Sequence, residues 1–506
     1  MAIDIANYDY TNRNPGVFLS IDPSRANTGS STLRSLAIGQ VLNPNAPGEA
    51  RASPRVQALL ERPLLCMGVE HARQIGGAGS QLAAMVAAYR RRDPYGELWM
   101  LPLADDPAAA KASATVDLSG IGAATASGTL SLYIAGTRVQ VYVEAGAGAD
   151  AIGPATAATV NALPDLPVTA TYAAATDTLT LTAKHAGACG DELDVRFNHL
   201  GRPGGEDFPA GMLPPVVSRF TGGSANPALD IALENLVDQV FDVIALPYSD
   251  AASLDAMKRF HSEQGGRWSP VRQLYGHAFA AFRGSLGQAV ALGMSRNDPH
   301  TTILPFGDAP EPSYVWAADL AGTCAPSLRS NPALPLQRLA LGVLAPPVPS
   351  RWGFGDRNTL LYSGLSTYEV AQDDTVYLSR VVTTYQRDAA GTTDDAFLDA
   401  ETPFQLAAVC RFIRADTETT FARKIVVADD TRFTAGSDMV TLASIRGHIL
   451  GLYRVLLERG WVQDLAGFAR ELRLEKAGRG QVRIFAPIRI ADQLRQMVFS
   501  VQFLKP

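Results

Sequence analysis

Gly76-Gly77-Ala78-Gly79, placed between an apolar run and a helix-forming stretch, is the first segment of the chain where a phosphate could sit. Glycine turns at helix N-termini bring backbone N–H groups up to a diphosphate. The fingerprint Gly-x-Gly-x-x-Gly is not met, because Leu82 stands where the third glycine belongs, and the next strand pattern, Leu98 to Leu103, ends in an apolar run. The segment reads as a helix-entry turn. There is no Walker sequence and no Gly-x-Ser-x-Gly elbow. Gly436-Ser437-Asp438-Met439 is superficially like a protease serine loop, but no base or orienting carboxylate can be assigned to it. His277 and His300 fall at expected strand ends and could form a site pair; a hydrogen-bonded core histidine is the commoner outcome. Asp373-Asp374, Asp394-Asp395 and Asp429-Asp430 could contribute to a hard-cation site only if further oxygens converged on them, and they read as solvated loops. Cys66, Cys189, Cys324 and Cys410 are far apart and form no CxxC pair, which argues against a zinc ribbon, a redox motif or a disulfide framework and for buried free thiols. The residue types thus predict no catalytic residue, no metal site and no cofactor.

The bulk properties point the same way. At 506 residues, with 47% hydrophobic and 19% charged residues, the chain has a folded protein's balance and length for two to four domains. A formal charge of −6 without a basic stripe gives no sign of nucleic-acid binding. Met1 to Tyr10 is polar and acidic, unlike a signal peptide, and no apolar run is long enough to span a bilayer. The expectation is a soluble chain made inside a cell, with no membrane insertion.

The elements follow from period and punctuation. Residues 1–60 read as an arm and linker: after the turn Asn14-Pro15-Gly16, Val17, Leu19 and Ile21 alternate with Phe18, Ser20 and Asp22, and 43–54 is rich in Pro, Ala and Gly. Residues 61–112 begin an α/β core with a strand at Pro63 to Val69, a helix from Ser80 and a strand at Glu97 to Leu103. Residues 113–220, rich in Ala, Thr and Gly, carry two hairpin patterns and read as a separately folded β-rich surface insertion. Residues 221–345 resume strand–helix alternation, the mark of a parallel sheet. They should hold a helix from Pro227 to Gln239, a strand at Phe241 to Leu246, a helix capped by Ser249, a strand at Val271 to Phe279, a helix from Ser285 and a strand at Thr301 to Pro305. Residues 346–506 form a last unit: a hairpin within Thr375 to Tyr385, a helix opened by Thr402-Pro403, and a helix from Thr441 to Arg459 with Ile445, Ile449, Leu452 and Leu456 on one side. Terminal strands are expected at Gln481 to Ile490 and Met497 to Leu504, where Phe499, Val501 and Phe503 alternate with Ser500 and Gln502.

Four segments carry a resemblance in combination: Phe241 to Asp250; Gly276-His277-Ala278-Phe279 followed by Arg283-Gly284-Ser285-Leu286; Ser295-Arg296-Asn297-Asp298-Pro299-His300; and Tyr377 to Tyr385 followed by Asp399-Ala400-Glu401-Thr402. With Asn14-Pro15-Gly16-Val17, their order and spacing resemble the Mu-type contractile tail sheath family over most of the chain. The resemblance implies an α+β, α/β multidomain protein: a subtilisin-like α/β core without protease function, an inserted β-rich domain, and a C-terminal α+β domain bearing extended strand arms. It also implies a homo-oligomer in six-fold rings or a six-start helix around a tail tube, with baseplate and tail terminator proteins as further partners, in a virion tail. On this reading the inter-subunit arms are Val17, Phe18, Leu19 and Ile21 at one end and Phe499, Val501 and Phe503 at the other. An α/β hydrolase and a surface adhesin or decoration protein are the alternatives.

Overall fold

A computed structural model of the chain describes residues 33–42, 54–431, 434 and 438–505. It begins with strand β1 (Arg34–Gln40), a short β2 (Leu64–Leu65), helices α1 (Val69–Gly76) and α2 (Gln81–Arg92), and β3 (Glu97–Leu103). The stretch 1–60, read as arm and linker, therefore supplies a core strand. Leu36, Ala37 and Ile38 are wholly buried, and β1 pairs in parallel with β3 along its full length. A strand buried on both faces reads as a continuous apolar run without alternation, and this one is only seven residues long. The strand expected over Pro63 to Val69 shrinks to β2, because Val69 already opens α1. At Gly39 a Cβ would stand 2.8 Å from the Cα of Leu82, so glycine is what lets α2 pack directly on β1.

Two antiparallel sheets follow, built from β4 (Lys111–Asp117), β5 (Gly128–Ile134), β6 (Thr137–Val143), helix α3 (Ala149–Asn161), β7 (Val168–Ala173), β8 (Thr178–Ala186), β9 (Val195–Phe197) and β10 (Val216–Val217). Their orders are β10-β4-β8-β7 and β6-β5-β9. The hairpin β5–β6 turns through Ala135 and Gly136, both at positive φ (49° and 82°), the hand that matches strand twist. The interior of this unit, including Leu130, Val141, Ile152 and Leu181, is continuous with the apolar side of α2.

The chain then returns with α4 (Asp230–Glu234), β11 (Val243–Ala245), α5 (Ala251–His261), β12 (His277–Arg283), α6 (Leu286–Met294), β13 (Thr301–Phe306) and α7 (Ser313–Ser330). The six-stranded sheet has the order β13-β12-β11-β1-β3-β2 and is parallel except for β2. Ala37, Met100, Ala245, Phe279 and Leu304 face α2 and α7; Ile38, Leu101, Ile244, Ala280 and Ile303 face α4, α5 and α6. Several details differ from the sequence reading. α4 is one turn rather than the span to Gln239, because Val237 takes a positive φ of 41°. Asp250, not Ser249, caps α5, accepting the Ser253 N–H at 3.0 Å. The strand expected from Val271 starts only at His277; Gln273, Tyr275 and Gly276 all have positive φ and turn the chain first. α7 is buried nearly all round and so has no polar stripe for a periodicity argument to detect.

The last unit comprises α8 (Phe354–Tyr362), β14 (Thr367–Val370), β15 (Val376–Arg380), α9 (Glu401–Phe421), β16 (Ile425–Val426), β17 (Met439–Val440), α10 (Leu442–Glu458), α11 (Leu465–Glu471), β18 (Arg473–Gly478) and β19 (Gln481–Phe485). The hairpin expected inside Thr375 to Tyr385 instead pairs β15 with β14, turning at Asp374 (φ 61°). Ile445, Ile449, Leu452 and Leu456 are buried on one side of α10, as their spacing predicts, and Gly460 leaves the helix at a φ of 70°. The strand expected over Gln481 to Ile490 is present as β19, shorter and paired with β18. Met497 to Leu504 pairs with no strand among the described residues.

Candidate functional site: a filled crevice and an open hairpin

The order of strands reverses at β1, which sends the chain to β3 on one side and receives β11 on the other. In open α/β sheets the crevice outside the carboxyl ends of the strands at such a point is where ligands bind. Here the β4–β10 unit occupies it. Gln40, the last residue of β1, donates from Nε2 to Asp105 Oδ1 (2.7 Å) and to the Ala186 carbonyl (2.8 Å), while its N–H donates to Gln81 Oε1 (2.9 Å). His185 of β8 accepts the Gln81 N–H on Nε2 (3.0 Å) and shares Nδ1 with Asp105 Oδ1 (2.9 Å). Cys189 donates its thiol to Gln40 Oε1 at 3.1 Å, and Tyr248, beyond β11, donates to Gln81 Oε1 at 3.3 Å.

Cysteine, histidine and aspartate thus lie together, the types of a nucleophile, base and orienter. Their connectivity is different. Both ring nitrogens of His185 are engaged elsewhere, and the thiol bonds an amide oxygen rather than the imidazole. Burial, reinforced by Glu192 and Asp105, pushes the Cys189 thiol far up, which keeps it protonated. The arrangement clamps the unit to the sheet. The glycine turn is closed in the same way: Lys184 donates to the Ala78 and Pro164 carbonyls (3.3 and 2.6 Å), and a Cβ at Gly79 would lie 2.4 Å from the Leu166 carbonyl oxygen.

The other candidate residues disperse. The positions flagged at Gly436-Ser437 lie outside the described residues. Asp373 caps Thr375, Asp374 pairs with Arg351 (2.6 Å), and Asp394 accepts the Tyr385 hydroxyl (2.6 Å). Among the described residues no group of three or more His, Cys, Asp and Glu side chains could hold a metal ion. Cys66, Cys189 and Cys324 are buried free thiols, and Cys410 is half-buried. His277 and His300 are both buried at the amino ends of β12 and β13. His261, which no motif singled out, joins them, with its ring centroid 6.2 Å from that of His300. The His300 ring has no hydrogen-bond partner, contrary to the expectation of a hydrogen-bonded core histidine. A cleft of about 880 Å³ opens between the inserted unit and the carboxyl ends of β12 and β13, but Arg196 on its wall is already paired with Asp194 (2.5 Å) and Asp308 (2.9 Å).

The outer surface offers a different feature. β18 and β19 form a sheet of two strands with no third neighbour among the described residues, and Ile484 and Phe485 are exposed on it. Unpaired edges of this kind are templates for another strand. The C-terminal segment is pinned by Arg495 to Asp399 (3.0 Å) and Glu401 (2.9 Å). Beyond it Phe499, Val501 and Phe503 are 77%, 85% and 78% exposed. Val17, Phe18, Leu19 and Ile21 lie outside the described residues. No helix among the described residues is long and apolar enough to cross a membrane.

Comparison with known proteins bears on the family of the chain. Residues 222–384 match the family model of the phage tail sheath protein central domain. The chain is 32% identical over 508 residues to the Mu-like prophage FluMu tail sheath protein of Haemophilus influenzae, covering 100% of both chains. The solved sheath tail protein of Desulfitobacterium hafniense aligns over 95% of this chain and 97% of its own at 11% identity with a TM-score of 0.48. The contracted helical sheath of the anti-feeding prophage aligns over 98% and 100% at 12% identity with a TM-score of 0.45. On the strength of the full-length relationship, the chain belongs to the phage tail sheath protein family.

Proposed function

We propose that this chain is the structural subunit of a contractile tail sheath. It polymerises with six-fold symmetry around a tail tube, meets baseplate and terminator proteins at the two ends, and stores energy in a metastable extended lattice. Contraction then drives the tube through a target envelope. The observation that carries this reading is the exposed C-terminal segment, with Phe499, Val501 and Phe503 alternating, on a chain that also bears a two-stranded sheet, β18–β19, with no further strand beside it among the described residues. A strand without a partner in its own chain finds one in another. The C-terminal arm of one subunit, and the arm at Val17, Phe18, Leu19 and Ile21 of another, would add to the open edges of β18–β19 in a third. Five residues make about four ladder bonds, on the order of 4 kcal/mol net per arm, and apolar burial adds up to a few kcal/mol. Such arms hold subunits together while their bodies rotate.

The filled crevice at the end of β1 supports a non-enzymatic role for the core, and the doubly wound parallel sheet is compatible with a subtilisin-like relationship. We take residues 113–220 to be the inserted surface domain, 61–112 with 221–345 the core, and 346–506 the unit that carries the receiving hairpin. The experiment is removal of residues 497–506. The truncated protein should stay folded by circular dichroism and form no tubes by negative-stain microscopy under conditions in which the full chain does. Normal contractile tubes from the truncated protein would refute the arm exchange.

A further inference from the structure

Three histidines converge below the amino ends of β12 and β13. His261 ends α5, His277 starts β12 and His300 precedes β13, and their exposures are 0%, 1% and 2%. Five of their six ring nitrogens have no hydrogen-bond partner. The sixth, Nε2 of His277, lies 2.9 Å from the Thr302 hydroxyl. That hydroxyl spends its single proton on the Val382 carbonyl at 3.0 Å, so it must accept from His277. The tautomer is thereby set: Nε2 carries the proton, and Nδ1 is a lone pair with no protein donor beside it.

The walls of the site are aromatic and come from two parts of the chain. Trp268 stacks on His300 at 4.2 Å and 14°, held by its own bond to the Gly276 carbonyl (2.9 Å), and Phe260 and Phe279 flank His261 and His277. These belong to the core. Phe404 of α9 lies 5.4 Å from His277, and Phe397, just before α9, lies 6.4 Å from His300. The histidines are therefore in the joint between the core sheet and the segment 382–421.

No carboxylate is hydrogen-bonded to any of the three rings. Arg267, on the loop after α5, is wholly buried and donates to the Val237, Gln239 and Tyr275 carbonyls. Arg411 of α9 lies over Tyr275 and binds Asp242. Asp242 also receives the Arg34 N–H, and Asp298 is taken up by the His300 N–H and the Thr301 hydroxyl. Lys258 and Arg296 lie close enough to Asp298 to favour its anion, against the burial that raises its pKa. A proton added to any of the three rings would bring an unsolvated cation into a site already holding two guanidinium groups.

We propose that the three histidines form a proton-sensitive latch, which holds α9 and its lead-in on the core sheet while neutral and releases them on acidification. The inference is independent of the assembly proposed above. Burial lowers the affinity of all three rings for protons, that of His300 to a pKa of about 3, so the closed joint stays neutral at pH values where a solvated histidine charges. An opened joint restores ordinary imidazoles. Between pH 7.0 and 5.5 the open fraction should rise roughly tenfold if one histidine is released and several hundredfold if all three are.

The test is hydrogen exchange of the full chain read by mass spectrometry at pH 7.0 and 5.5, corrected for intrinsic exchange rates. Peptides from α9 should open at least tenfold more at the lower pH, while α2 peptides serve as the internal reference. In the triple variant H261N/H277Q/H300F the excess should vanish. Where the triple variant does not fold, at least one of the three single variants must lower the excess severalfold. Equal pH responses of α9 and α2 in the wild type, or an excess that survives in a folded triple variant and in all three single variants, overturns the latch.

Discussion

Arg411 of α9 donates to Asp242 at the edge of β11 across 169 residues of sequence, and the same carboxylate accepts the backbone N–H of Arg34, where β1 begins, at 2.9 Å. One buried side chain therefore joins β1, β11 and α9. Arg411→Met keeps the apolar stem and leaves Asp242, 4% exposed, without its cation. Because Arg411 is partly solvated, the cost falls below that of a fully buried pair, at about 2 kcal/mol. Urea unfolding should show a lower midpoint at unchanged slope. An unchanged midpoint would mean that the pair is energetically neutral.

Glu311 makes stability depend on pH in the direction opposite to the histidines. Burial raises its pKa to about 7, against an unfolded value of 4.5, although the Leu344 N–H stabilises the anion. The folded state binds this proton more tightly than the unfolded one. The stabilisation is therefore complete below pH 4.5 and is lost as the pH rises through about 7. Glu311→Gln should flatten this part of the profile and stabilise the protein at pH 8 by about 1–3 kcal/mol. Thermal unfolding of both proteins from pH 5 to 8 checks it; parallel curves would show that Glu311 is ionised throughout.

The packing of α2 on α7 depends on one missing side chain. A Cβ on Gly322 would lie 2.7 Å from the Tyr89 carbonyl oxygen and 3.0 Å from its Cα, so backbone rather than a movable side chain would have to yield. Gly322→Ala should destabilise by about 1–3 kcal/mol despite its better helix propensity. A gain in stability would show that the two helices can separate at little cost.

Deletion of residues 113–220 should not leave a sound core. It removes His185 and Cys189 from the crevice, strips Lys184 from the glycine turn and uncovers the apolar side of α2. Expression of the deletion should yield mostly aggregated protein. A soluble, cooperatively unfolding core would show that the insertion merely rests on the sheet.

Much of this architecture was legible in the residues. The β5–β6 and β7–β8 hairpins alternate and turn at marked positions, and α10 has a clean stripe of Ile445, Ile449, Leu452 and Leu456. β1 and α7 were not, because elements buried on every side lose the polar positions that reveal a period. Positive-φ turns at Val237 and Tyr275 moved boundaries that apolar runs alone placed too early or too late. The exposed residues Phe499, Val501 and Phe503 show as alternation, whereas the filled crevice is invisible in sequence, since Gln40, Asp105, His185 and Cys189 are separated by up to 149 residues.

The central place of β1 also has a mechanical meaning. Arg34 stands at the amino end of β1, an interior strand of the sheet, which is laddered to Glu97–Leu103 on one side and to Val243–Ala245 on the other. A pull along that axis loads both ladders in shear, so their bonds must yield together; an arm attached to an edge strand would peel bond by bond. A load applied at Arg34 would thus be shared by two ladders at once.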